Sequence, residues 1–205
     1  MITEMIKASH PSALDHAVDV LNHGGLVAFP TDTVYGLAAL PFKSEFVERL
    51  FSAKGRSNAR AIAILIGDFD DLPKIVDHFD DISSRIAHWF WPGPLTLVVA
   101  KHSGLPDELS PDNTIGVRMP DHPVALELLR KIGPLAVTSA NISGQDNADT
   151  AEEVNKQLNG RVHLILDGGR TAGGVPSTVV NCLTNPLTIL RAGPISLEDI
   201  NSTLH

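Results

Sequence analysis

Positive side chains collect where apolar runs end. Lys54-Gly55-Arg56-Ser57, with Arg60 close behind, falls between a helix-like stretch and a buried-strand run. Two cations around a glycine suit a polyphosphate, lysine as a point charge and arginine as a fork. They equally suit the carbonyl end of a helix, whose dipole favours positive charge. Arg118 closes the run Ile115-Gly116-Val117, and Arg191 closes Ile189-Leu190. An arginine beside an apolar strand needs an anionic partner, because burying it unpaired is costly. A ligand carboxylate would serve, and so would a structural Asp or Glu.

Neutral polar groups gather at similar corners. Pro30-Thr31-Asp32-Thr33-Val34-Tyr35-Gly36 follows an apolar strand, and its hydroxyls either meet a ligand or satisfy their own turn. Thr138-Ser139-Ala140-Asn141-Ile142-Ser143-Gly144 offers donors to phosphate oxygens or forms a capped turn. In Asp167-Gly168-Gly169 through Pro176-Ser177-Thr178, glycine pairs permit close backbone approach.

Several chemistries lack their signatures. There is no G-x-x-x-x-G-K-[ST] loop, no G-x-G-x-x-G, no H-E-x-x-H and no G-x-S-x-G elbow. The nine histidines show no metal-ligand spacing. Cys182 is the single cysteine, which rules out an internal disulfide; it reads as a small buried residue of a strand rather than a nucleophile. The net charge of −8 repels nucleic acid as a whole, so phosphate contacts must come from local clusters. No segment reaches the roughly 18 apolar residues that cross a membrane, and residues 1–10 carry no signal-peptide pattern. A soluble, cytoplasmic protein with no membrane contact is expected.

Positioning these groups requires alternating helices and strands. Helical spacing or caps predict helices over Pro11–His23, Ser44–Ala53, two segments within Asp70–Phe90 broken near Asp80-Asp81, Pro123–Ile132, a stretch opened by a Thr150/Glu153 capping box and ending before Gly160, and a last one capped by Ser196 and Asp199. Apolar runs predict strands over Leu26–Phe29, Ala61–Ile66, Leu95–Ala100, Ile115–Met119, Leu135–Val137, His163–Leu166, Thr178–Asn181 and Leu187–Leu190. Several neighbouring strands have no helix between them. That predicts one α/β domain over residues 1–205 with a twisted, open, mixed sheet flanked by helices and a cationic concave face. Residues alone lead to an α/β protein that binds an anionic small molecule, and no further.

A resemblance goes further. GGLVAFPTDTVYGL (Gly24 to Leu37), KGRS (Lys54 to Ser57), WPGPLTLVV (Trp91 to Val99), GVRMPDHP (Gly116 to Pro123), TSANISG (Thr138 to Gly144), DGG (Asp167 to Gly169), PSTVV (Pro176 to Val180) and ILRAGPIS (Ile189 to Ser196) resemble, in order, the threonylcarbamoyl-AMP synthase family and its YrdC-like domain. The likeness covers about Ala13 to Ile200, with no additional C-terminal domain expected. It implies L-threonylcarbamoyladenylate synthesis from L-threonine, bicarbonate and ATP, with Mg2+ accompanying ATP. The product would pass to a threonylcarbamoyl-transferring enzyme for tRNA modification, with possible direct tRNA contact. It implies Thr33, Arg118, Val137 and Ser177 at threonine, and Lys54 and Arg56 as the cationic catalytic pair at the phosphates. It implies Arg60, Thr114, Ser139, Asn147 and Arg191 at the nucleotide, with Asn141 supporting the same corner, and no protein metal site. Two positions depart from the family pattern: Ser57 stands where many members have Pro, and Leu65 where many have a histidine that contacts threonine. A paralogue acting on another carbamoyl or acyl compound, or an RNA-binding module, are the alternatives.

Overall fold

A computed structural model of the chain describes residues 2–55 and 61–204. In chain order it contains β1 (Glu4–Lys7), α1 (Ala13–Asn22), β2 (Val27–Phe29), β3 (Gly36–Ala39), α2 (Ser44–Lys54), β4 (Ala63–Leu65), α3 (Asp81–Phe90), β5 (Leu95–Ala100), β6 (Thr114–Arg118), α4 (Pro123–Ile132), β7 (Leu135–Ser139), α5 (Ala151–Leu158), β8 (Leu164–Asp167), β9 (Thr178–Asn181), β10 (Thr188–Arg191) and α6 (Leu197–Ser202). Short 3-10 helices cover Phe69–Lys74 and Asp107–Leu109.

Local chemistry sets many of these ends. Gly55, at φ 61°, closes α2 in the left-handed conformation that suits glycine. Pro123 opens α4, where its missing N–H is harmless. Ser196 and Asp199 form the reciprocal box at α6. At α5 only half of the expected box forms: Thr150 Oγ1 accepts from the Glu153 N–H at 3.2 Å, while the Glu153 carboxylate accepts from the Asp149 N–H at 2.7 Å. The segment before Asp80 is a 3-10 helix rather than the expected α-helix, and Pro73 inside it denies the helical ladder a donor.

Among the described residues ten strands form one open mixed sheet in the order β1-β8-β2-β3-β7-β4-β6-β5-β9-β10. The pairs β1/β8, β2/β8, β4/β6 and β5/β9 are parallel, and the remaining neighbours are antiparallel. Alternation along the strands sends side chains to two apolar layers. One face packs Ala28, Leu37, Ile64, Leu97, Val117 and Val180 against α2, α3, α5 and α6. The other packs Val27, Phe29, Leu135, Leu164 and Leu166 against α1 and α4. That second layer stops at Leu65 and Val137. On the same face further along, β6, β5 and β9 present Thr114, Gly116, Arg118, Thr96, Val98 and Val179, none of which belongs to either layer. Among the described residues no helix is long and apolar enough to cross a membrane. Cys182 is buried, and burial pushes its thiol up to about 11, as suits a packed rather than a reactive sulfur.

Candidate active site

The stretch of sheet without apolar cover floors a cavity of about 560 Å³, a size ordinary for small-molecule sites. Its floor comes from β4, β6, β5 and β9, and its walls from the Thr31–Gly36 loop, the Ser110–Asp112 loop and the Pro176-Ser177 turn. Gly116 keeps the floor low: a Cβ there would sit 3.0 Å from Thr96 Cγ2 and 3.5 Å from Ala63 Cβ.

Of the residues singled out from sequence, Thr33, Thr114, Arg118, Val137, Ser139, Asn147, Ser177 and Arg191 line this one cavity. They come from stretches far apart in the chain. Lys54 and Asn141 are buried and do not line it. Arg56, Ser57 and Arg60 lie outside the described residues. Leu65 does line it, at 4% exposure, so an apolar wall of Leu65, Ala63 and Val137 stands where a hydrogen-bonding side chain could have been.

Arg118 is 5% exposed and held on three sides. Its Nε donates to the Gly93 carbonyl at 2.9 Å and its Nη1 to Thr33 Oγ1 at 3.0 Å, and Nη2 pairs with Asp32 Oδ1. The structural acid left open by the sequence is therefore Asp32. Burial drives the Arg118 pKa below its ordinary value, Asp32 opposes that, and the charge on Arg191 adds to the depression. Guanidinium nevertheless stays protonated in proteins.

Arg191 differs. Its Nε donates to the Ser177 carbonyl at 3.0 Å and its Nη2 to Ser177 Oγ at 2.9 Å, and Ser177 Oγ in turn meets Thr96 Oγ1 at 2.8 Å. Among the described residues no carboxylate pairs with it. Desolvation lowers its pKa with no compensating anion. A guanidinium oriented by neutral acceptors and turned toward a cavity is built to receive a negative charge.

Lys54 serves the corner at the far wall. Its Nζ donates to the Asn141 carbonyl at 2.8 Å, to Asn141 Oδ1 at 3.0 Å, and to the Ser139 carbonyl. Ser139 Oγ donates to Asn141 Oδ1 at 2.6 Å, and Asn141 Nδ2 donates to the Gln145 carbonyl at 2.7 Å. The Thr138–Gly144 segment is thus knotted from below, with Ser139 left facing the cavity. Thr31 behaves as a turn residue: its Oγ1 accepts from the Thr33 N–H at 3.2 Å and donates to the Val34 carbonyl at 2.7 Å.

Sequence reasoning missed Thr96 and the single carboxylate on the wall among the described residues, Asp112. Thr96 had a signal, being a lone hydroxyl inside the apolar run of β5. Asp112 had none, since an acid in a polar loop is ordinary. Among the described residues no group of three or more His, Cys, Asp or Glu could hold a metal ion.

Known proteins resemble the chain along most of its length. The Sua5/YciO/YrdC family model, described as telomere recombination, matches residues 19–193. A threonylcarbamoyl-AMP synthase of Bacillus subtilis is 37% identical over 209 residues, covering 99% of this chain and 59% of the relative. One from Mus musculus is 35% identical, covering 98% of this chain and 76% of the relative. The crystal structure of Pyrococcus abyssi Sua5 complexed with L-threonine superposes with a TM-score of 0.93 at 36% identity, covering all of this chain (100%) and 61% of that one. The chain therefore spans about 60% of the length of the Bacillus and Pyrococcus proteins.

Proposed function

The chain belongs to the Sua5/YciO/YrdC family, and from that premise we propose that it is an L-threonylcarbamoyladenylate synthase, joining L-threonine, bicarbonate and ATP. The observation that carries this reading is the shared cavity with two guanidinium groups, one of them lacking any carboxylate partner among the described residues.

In this reading the threonine carboxylate meets Arg118, its hydroxyl meets Thr33 or Ser177, and Val137 with Leu65 packs its methyl. Thr114, Ser139, Asn147 and Arg191 contact the nucleotide, with Arg56 and Arg60 assigned to the phosphates. Lys54 contributes by fixing the Ser139–Asn141 corner. Magnesium enters as part of the ATP substrate, because Asp112 is the single carboxylate on the described wall. The threonine nitrogen adds to carbon dioxide derived from bicarbonate and loses a proton. A carbamate oxygen then bonds to the α-phosphorus while the bond to the β-phosphate oxygen breaks and pyrophosphate leaves. No residue need act as a nucleophile. Holding the scarce carbamate in line with the phosphorus contributes about 7–11 kcal/mol, as good intramolecular reactions do. Cations near the leaving group stabilise its growing charge. The adenylate then passes to a transferring enzyme that modifies tRNA in the cytoplasm.

The test mixes the protein with ATP, magnesium and bicarbonate, with and without threonine, and measures pyrophosphate and the adenylate mass. Threonine-dependent pyrophosphate release with one threonylcarbamoyl adduct is the expected outcome. Salt-sensitive RNA binding without ATP turnover, or equal turnover with unrelated amino acids, would refute the proposal.

A further inference from the structure

We infer that Asp32 is a positioning residue for the substrate carboxylate, a resident counter-ion that aims the Arg118 guanidinium and limits how strongly it draws an anion; this rests on the carboxylate role proposed above for Arg118. Arg118 lines the cavity and so does Thr33, bonded to one terminal nitrogen of Arg118, but Asp32, bonded to the other, does not. Its side chain is 14% exposed and lies behind the guanidinium rather than in the site. One oxygen, Oδ1, receives both Arg118 Nη2 and the Asp121 N–H, the latter at 3.1 Å. That oxygen ties the loop after β2 to the chain leaving β6.

Arginine has five N–H donors. Three are spent on Gly93, Thr33 and Asp32, so five less three leaves two, one on each terminal nitrogen. One donor on each terminal nitrogen is thereby left for a carboxylate. The negative charge behind the guanidinium has opposed effects. It makes a buried guanidinium tolerable in the empty site and offsets the nearby charge of Arg191. It also repels the incoming carboxylate. Orientation and attraction can therefore be separated by substitution. Asp32→Asn keeps an acceptor for both donors and removes the charge. Asp32→Ala removes both.

The experiment measures the L-threonine KM, the ATP KM and the calorimetric L-threonine Kd of the full chain, beside thermal unfolding with and without threonine. Removing a unit charge at this range shifts affinity on the order of tenfold. Asp32→Asn should bind threonine about tenfold more tightly, unfold earlier without threonine and gain more from it, with the ATP KM unmoved. Asp32→Ala should bind threonine more weakly than wild type. Threoninamide, which lacks the carboxylate, should gain nothing from Asp32→Asn. If wild type prefers threonine over threoninamide but Asp32→Asn binds it no more tightly, Asp32 is only structural and the inference fails. If wild type binds both alike, Arg118 does not take the carboxylate, and the functional reading falls together with the inference. Should Asp32→Ala not fold, the sign of the Asp32→Asn change alone decides.

Discussion

One face of the sheet carries two opposite surfaces. Over β8, β2 and β7 it is Leu, Val and Phe beneath α1 and α4. Over β6, β5 and β9 it is Thr, Gly, Val and Arg beneath a cavity. The opposite face is buried and mostly apolar along both halves. What differs is what covers them. A helix supplies apolar surface and permits only apolar residues below it, since an unpartnered polar group there would cost free energy. Where no helix lies, the sheet can carry hydroxyls and guanidinium groups pre-aimed at a ligand. Substitutions in the first half should change stability alone, and those in the second should change substrate handling.

Arg118 should break that division, and most strongly. Its pairing with Asp32 makes it a structural element as well as a site residue. Arg118→Ala leaves a shielded carboxylate unpaired, so unfolding free energy should fall by about 3–5 kcal/mol and the threonine requirement should rise together. Denaturant titration with threonine kinetics checks both; unchanged threonine dependence would remove Arg118 from the site. On the covered half, Leu128→Ala at the α4 contact empties a fully buried position and should cost about 2–5 kcal/mol of stability, with both substrate KM values unmoved in the folded fraction.

Arg191→Met sharpens the contrast from the other side. Among the described residues no carboxylate pairs with this guanidinium, so thermal unfolding without ligand should hold or rise. Loss of one charge-assisted contact should lower kcat/KM for ATP by an amount equivalent to about 1.5–3 kcal/mol. A fall in stability equal to the fall in kcat/KM would make Arg191 structural instead.

The same contrast explains what could be read from sequence. Long apolar periodicities gave their elements away: α4 falls at Pro123–Ile132, with Pro at one end and Gly133 after the other. β1 escaped notice because an edge strand, Glu4-Met5-Ile6-Lys7, buries little and needs no apolar pattern. β3 escaped because Gly36-Leu37-Ala38-Ala39 has poor strand propensity and is held by pairing on both sides, with β2 and β7. Most cavity residues were legible as polar groups at the ends of apolar runs. Their partners were not: Arg118 and Asp32 are 86 positions apart, and no local pattern joins them. Lys54 shows the limit most clearly. A cation at a helix end can face solvent, a phosphate or the protein, and only tertiary contacts turn it under the Asn141 corner.

The smallest effect is expected at the covered half's edge, where Lys7 on β1 pairs with Asp167 at the end of β8. The hydrogen bond from Lys7 holds the Asp167 carboxyl below its ordinary value, with the Gly169 N–H, at 3.0 Å, helping and burial opposing. A carboxyl whose pKa is lower folded than unfolded stabilises fully above the unfolded value, about 3.9. That contribution disappears as pH falls through the folded value. Lys7 is 73% exposed, so water screens the pair and the effect is slight at neutral pH. Lys7→Met should therefore lower stability slightly at pH 7, converge with wild type as pH falls below about 4, and leave the threonine KM nearly unchanged. Unfolding midpoints followed by circular dichroism across that range provide the check. Stability of the variant should become less pH-dependent there, because Asp167 loses the first cause of its depressed pKa. A shift in the threonine KM instead would mean that the two halves of the sheet face are coupled through β8, and the division drawn between them would have to be abandoned.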